Sequence, residues 1–334
     1  MLGPYTHRID PVLADLGGLY LWWYGLGVAI GVWQLHRFLD RNRAGLRMSR
    51  RDVWTLSLWL AVGVLAGGRL VEVAFDEWAF YRAHPSLLPA YWLGGMATHG
   101  LMMGAAAATW LFARIQGRRL LPLADALVIP GAFLMGMGRI GNFIDGQIVG
   151  SVTDAWWAVK FPDAEGFRHP VVLYDGVKNL LLMVYLLHVR RTNPTPGAVA
   201  ARFVFWYAFP RIGIDLFRDY PTHRLAIGTG QTLNLLMAAL GAVLLLRSRL
   251  RRLGRIATAP DTTAPRGIEE PALPWQRAAF AGVLALCLTI PSNWTQDIPA
   301  RYGSRHEGLR HSWLYPRIDT APQRQDDLLP ARSR

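Results

Sequence analysis

Ionisable and amide side chains interrupt stretches of this chain that are otherwise apolar, and they gather at one depth. Arg69 and Glu72 close the second apolar run, His99 opens the third, and Arg139 and Asn142 close the fourth. Arg211, Asp215 and Arg218 lie toward the end of the sixth, Gln231 opens the seventh, and Tyr24 lies near the start of the first. Charges in such settings are costly unless they are paired or used. Helical spacing offers some pairs: Arg69 with Glu72, Arg211 with Asp215, and Asp215 with Arg218. A lone Tyr or His here is equally readable as an interfacial contact. Taken together, however, four arginines face only Glu72 and Asp215 as obvious acids. An anionic ligand would resolve the excess, and the guanidinium fork suits phosphate bidentately. A lipid phosphate has the matching charge and depth.

The elements that must position these residues follow from composition. Hydrophobic residues are 52% of the 334 and charged residues 18%, which excludes general disorder. One Cys excludes a disulfide framework and a Cys-rich metal site. The net charge of +13 comes from Arg-rich loops between apolar runs, a pattern that suits an anionic membrane leaflet better than nucleic acid. Seven runs stand out, at 18–38, 53–72, 97–113, 121–138, 171–189, 199–217 and 229–246, with an eighth at 275–291. Backbone groups in lipid must be satisfied internally, so these runs are predicted to be helices. The expected fold is an all-α polytopic membrane protein of seven transmembrane helices plus an eighth, with a small extracytoplasmic head segment. Arginines concentrate after the first, third, fifth and seventh runs, for example Arg37–Arg51 and Arg247–Arg255. The positive-inside rule then places the N-terminus outside. The first run lacks a basic leader and a cleavage site, and reads as a retained helix. Residues 1–254 form the predicted core, with an outer-surface segment at about 139–170. Residues 255–272 read as a Pro- and Thr-rich linker, and 273–334 as an extra helix with a polar, poorly ordered tail.

The segment 138–150, GRIGNFIDGQIVG, carries four glycines in thirteen residues directly after a membrane helix. Glycine there permits tight turns and close approach of backbone to a ligand. The polar and aromatic stretch 151–169 that follows is predicted to form a short hairpin over the site.

These residues, in order, resemble the bacterial prolipoprotein diacylglyceryl transferase family. GRIGNF at 138–143 is close to the family signature, which ends on a glycine matched by Gly150. WYG at 23–25, GGR at 67–69, HG at 99–100 and RHPVVLYD at 168–175 resemble further motifs, as do Arg211-x-x-x-Asp215-x-x-Arg218 and GQ at 230–231. The likeness covers roughly residues 18–246. The chain departs from the pattern at Gln147 and Asp215, where the family has Glu, at Leu101, where it has Gly, and at Asp145, where it has Asn.

The resemblance implies transfer of a diacylglyceryl group from phosphatidylglycerol to the thiol of a lipobox cysteine in a preprolipoprotein. A thioether forms and glycerol-1-phosphate leaves, with no metal or other cofactor and no nucleic acid. The implied partners are phosphatidylglycerol, the preprolipoprotein signal peptide and the lipid bilayer. The implied location is the bacterial cytoplasmic (inner) membrane, with the site facing the outer leaflet. Arg139 and Arg211 are the candidates for stabilising the leaving phosphate. His99 is the candidate base for a thiol whose ordinary pKa is ~8.5, a structural hydrogen bond being its other reading. Tyr24, Arg69, Asn142, Gly150, Asp215, Arg218 and Gln231 are the expected substrate-binding residues. Residues 256–334, outside the likeness, are expected to be dispensable for chemistry. Two rival readings are an anionic-lipid transporter and a non-catalytic relative that binds lipid or signal peptide. The one-sided cluster and the lack of an internal repeat count against the first, and Gln147 with Leu101 motivates the second.

Overall fold

The computed structural model describes residues 4–219, 229–253, 270–292 and 295–318. Most of the expected linker at 255–272 and the tail beyond 318 lie outside the described residues.

Three short strands lead the chain: β1 (Tyr5–Thr6), β2 (Val12–Asp15) and β3 (Tyr20–Trp22). The first apolar run starts at 18, but its helix α1 spans Trp23–Asn42. The difference has a local cause. Gly17 and Gly18 adopt φ of 67° and 93°, which turns β2 back onto β3 as an antiparallel pair. Helix α2 (Arg50–Val71) begins on a capping box in which Ser49 and Asp52 satisfy each other's backbone N–H groups. It runs into a wider turn at Glu72–Asp76, then the short α3 (Trp78–Ala83). Helices α4 (Thr98–Ile115) and α5 (Leu120–Ile144) follow. After them come β4 (Val159–Lys160), α6 (Val171–Arg191), α7 (Ala198–Asp215) and α8 (Thr229–Leu253). The chain closes with α9 (Pro274–Leu288) and α10 (Ile298–Tyr302).

The protein is a mostly helical, multi-pass membrane protein. Among the described residues, four segments are long and apolar enough to cross a bilayer: Arg50–Phe75, Leu120–Ile144, Val171–Arg191 and Gln231–Leu250. Helix α5 packs against both α1 and α6, α7 joins α6 to α8, and α2 pairs with α4. The α2–α4 pair is close because glycines meet. A Cβ on Gly104 would fall on the Gly63 carbonyl, and one on Gly100 would fall on that of Gly67.

All strands lie at one end of the bundle, and the arginine-rich connections at the other. At the arginine end Arg118 pairs with Asp52 at 2.6 Å and Arg190 donates to Asn42 Oδ1 at 2.8 Å. At the strand end β4 pairs in parallel with β1, and Ser151–Thr153 bonds Phe167–His169 in antiparallel fashion. The expected hairpin over 151–169 is therefore present as a loose pairing, with β1 added from the N-terminus.

The C-terminal region departs from expectation. Helix α9 packs against α1 and α2. It starts at the arginine end, where Gln276 Nε2 donates to Thr55 Oγ1 at 2.9 Å. It finishes against Gly25, whose missing Cβ admits the carbonyls of Cys287 and Leu288. The tail, expected to be poorly ordered from residue 292, is packed over 295–318. Ile298, Tyr302, Leu309, Tyr315 and Ile318 share one buried cluster with Val12, Tyr20, Trp22 and Leu93. Sequence patterning could not reveal this core, because it is assembled from three stretches far apart in the chain.

Candidate active site

The carboxylate of Asp175 is the centre of the polar cluster. It is 5% exposed, on the first turns of α6, and cations from two other helices reach it. Arg139 Nε donates to Asp175 Oδ2 at 2.7 Å from α5, and Arg211 Nη1 donates to the same oxygen at 2.8 Å from α7. Lys178, one turn along α6, holds Oδ1 at 2.7 Å. Lys178 also donates to the Tyr207 carbonyl at 2.9 Å and lies 4.3 Å from the centre of the Tyr207 ring. The buried cations therefore satisfy one another's cost through a shared anion and fixed dipoles. Asp215 Oδ2 lies 4.0 Å from Arg211 Nε and accepts from Asn234 Nδ2 at 2.8 Å.

A cavity opens beside this cluster. Arg139, Asp175, Arg211, Asp215 and Arg218 line it with polar groups, and Ile148, Val171, Val172 and Ile214 make its apolar wall. Its lining presents guanidinium groups on one side and hydrocarbon on the other.

The glycine-rich segment works differently from its sequence reading. Helix α5 continues through Gly138 and Gly141 to Ile144, and does not turn at the glycines. Gly141 serves close approach: a Cβ there would lie 2.7 Å from Tyr24 Cα on α1. This seats Tyr24 against α5 beside the residue that precedes Asn142. Asn142 is buried, and its Oδ1 accepts from Arg139 Nη1 at 3.0 Å. The turn comes later, at Gly146 with φ 71° and at Ile148 with φ 59°. Gly150 then lies against the backbone of His169 and Phe217, where a Cβ would come 2.5 and 2.7 Å from their carbonyl oxygens. It bridges to Arg218, while Arg168 Nη1 holds the Gly150 carbonyl at 3.1 Å.

Arg139, Arg211, Asp215 and Arg218 thus line one cavity. Asn142 and Gly150 support them from behind. His99 lies in the first turn of α4 and is not among the cavity-lining residues. Arg69 is not part of this convergence. It is buried away from the cavity, donating to the Tyr81 hydroxyl and to the Ala90 carbonyl at 3.1 Å, with its guanidinium 4.6 Å from the Tyr91 ring centre. It ties α2 to the strand-end segment. Gln231, half-buried at the start of α8, is not among the cavity-lining residues.

Sequence reasoning left Asp175 and Lys178 out of the charge count. Asp175 was visible as the last residue of RHPVVLYD, and Lys178 one turn later on the same helix face. Gln147 and Asp145 also have defined places outside the cavity. Gln147 Oε1 accepts from Arg301 Nη2 at 3.2 Å. Asp145 Oδ2 accepts from the Ser292 N–H at 3.1 Å. The Asp145 carboxylate therefore faces the C-terminal segment, and does not stand in for a carboxylate at residue 147. Burial pushes its pKa up to about 7, against the Ser292 hydrogen bonds and the Arg305 charge.

Fold and site define a multi-pass helical membrane protein with a cationic, half-apolar cavity at one end of its bundle. Residues 11–247 match the family model described as prolipoprotein diacylglyceryl transferase. The chain belongs to that family. It is 34% identical over 227 residues to the phosphatidylglycerol–prolipoprotein diacylglyceryl transferase of Brucella anthropi, covering 64% of this chain and 80% of the relative. The proteins of the same name from Brucella canis and Brucella ovis are 34% identical over 226 residues, covering 63% of this chain and 80% of theirs.

Proposed function

We propose that this protein transfers a diacylglyceryl group from phosphatidylglycerol to the lipobox cysteine of preprolipoproteins. The observation that carries the reading is the convergence of Arg139 and Arg211, from separate helices, on one carboxylate beside a half-apolar cavity, in a chain of this family. The cysteine thiolate attacks the glycerol carbon that bears the phosphate. The carbon–sulfur bond forms as the carbon–oxygen bond breaks, and the oxygen leaves with its electron pair as glycerol-1-phosphate. Charge grows on that phosphate, and preorganised guanidinium groups in a low-dielectric pocket stabilise it more than water does. His99 takes the thiol proton. Tyr24 and Asn142 orient the headgroup and Arg139. The acyl chains lie along the apolar wall of the cavity.

In this reading seven helices span the inner membrane and α9 spans it as an eighth. The strand end faces the outer leaflet, and the arginine end faces the cytoplasm, in line with the positive-inside rule. The substrate peptide is the signal peptide of a preprolipoprotein. The test is incubation of the purified protein with phosphatidylglycerol and a lipobox peptide, followed by mass spectrometry. The expected result is a peptide carrying one diacylglyceryl group. An unmodified peptide under conditions in which the protein stays folded overturns the proposal.

A further inference from the structure

The family match ends at residue 247, yet a segment far beyond it grips the turn that follows α5. The Ser292 carbonyl accepts from Asn142 Nδ2 at 3.4 Å, and the Ser292 N–H donates to the Asp145 carboxylate at 3.1 Å. Arg301 Nη2 donates to Gln147 Oε1 at 3.2 Å, and Arg305 Nη2 to the Asp145 carbonyl at 2.8 Å. Asn142 in turn accepts from Arg139. A continuous path of hydrogen bonds runs from the C-terminal segment to the guanidinium at the cavity.

The turn needs such a grip. Ile148 is β-branched and holds φ of 59°, a conformation that costs such a residue of order 1–3 kcal/mol and persists only where the surroundings over-determine it. Ile148 lines the cavity, so relaxation of the turn would remove part of the apolar wall. The segment is itself firmly held. Tyr302 and Tyr315 are fully buried against Trp22 and Tyr20, Thr295 bonds the Tyr81 hydroxyl, and α9 anchors the chain as far away as Thr55. We propose that residues 291–292 and 295–318 act as a clamp that positions Arg139 and the strained turn for the transfer reaction, with Arg301 and Arg305 as its positioning residues. The gripped atoms are those of Asp145 and Gln147, two of the places where this chain departs from the family pattern. The departure and the appended clamp form one unit.

The activity part of this inference rests on the transferase reading, and its structural part does not. The experiment therefore carries both readouts on the full-length protein: transfer kinetics with phosphatidylglycerol vesicles and a lipobox peptide, and hydrogen exchange of the 142–150 amides. Arg301→Ala and Arg305→Ala should each lower kcat about tenfold while the KM for lipid stays within twofold. Exchange at 142–150 should rise at least tenfold. Arg305→Lys, which retains a donor, should recover most of the loss. Gln147→Ala combined with Arg301→Ala should cost less than the sum of the two, because they share one contact while Arg301 also pairs with Asp163. Trp313→Ala, an exposed site on the same segment, should change neither readout. If wild type transfers nothing, the exchange data alone decide: protected amides that open in the arginine variants support the clamp. Unchanged exchange in both variants overturns it, as do unchanged kcat values, or losses that track global unfolding.

Discussion

Arg139 on α5 and Arg211 on α7 donate to the same oxygen, Oδ2 of Asp175, at 2.7 and 2.8 Å. The shared acceptor fixes the two guanidinium groups relative to each other before any substrate arrives. Preorganisation of this kind lets charge stabilisation act without reorganisation during the reaction. Asp175→Ala leaves Arg139, Arg211 and Lys178 without their common anion. Breaking a buried ion network from one side costs roughly 3–5 kcal/mol, so this variant should unfold at a clearly lower temperature. Asp175→Glu should retain most of the stability and part of the activity. Thermal unfolding and transfer rate, measured together, check the pair. Equal melting temperatures for wild type and Asp175→Ala would refute the role of the carboxylate.

Arg139→Ala and Arg211→Ala should each reduce transfer about a hundredfold, corresponding to roughly 3 kcal/mol of lost transition-state stabilisation. Lysine at either position should rescue only in part, since it lacks the planar fork. Both proteins should still insert. Near-wild-type rates in both alanine variants would exclude their action on the leaving phosphate.

Much of the helical frame was legible in the sequence, because lipid forces each apolar run to satisfy its own backbone. The run at 97–113 became Thr98–Ile115, and that at 171–189 became Val171–Arg191. The arginines that converge were legible for a related reason, since a charge in an apolar run stands out. Asp175 was missed because it sits at the start of a run, where a carboxylate looks like a solvated end. Arg69 was misplaced because depth alone does not report direction. Its partners, Tyr81 and Ala90, lie in a connection with no apolar periodicity. The C-terminal cluster was illegible because Tyr302 and Tyr315 find their apolar partners nearly the whole chain length away.

Gly141 offers a test of the helix frame itself. A methyl group there would meet Tyr24 Cα at 2.7 Å, and backbone cannot step aside as a flexible side-chain end can. Gly141→Ala should force α1 away from α5, lower the melting temperature and reduce activity at least tenfold. Gly131→Ala lies in the same helix with nothing within 4 Å of its new methyl. It should be neutral or slightly stabilising, as alanine is favoured over glycine in helices by about 1 kcal/mol. Similar behaviour of the two variants in a melting assay would contradict the close approach of Tyr24.

Asp145 gives the fold a pH dependence whose sign is fixed by burial. Its carboxyl is fully buried and its pKa is raised to about 7, while in the unfolded chain it titrates near the ordinary aspartate value of ~3.9. Between those values the native state holds a proton that the unfolded state has released. The stabilisation from this group is therefore complete below about pH 4 and is lost as pH rises through 7. Above 7 the buried carboxylate is met by the Ser292 hydrogen bonds and the charge of Arg305. Asp145→Asn keeps an acceptor for Ser292 and removes the titration. Its melting temperature should be close to that of wild type near pH 4 and exceed it at pH 8.5. Melting curves for both proteins across that range check the claim. A difference that is constant with pH, or one that favours wild type at alkaline pH, would show that Asp145 is ionised throughout.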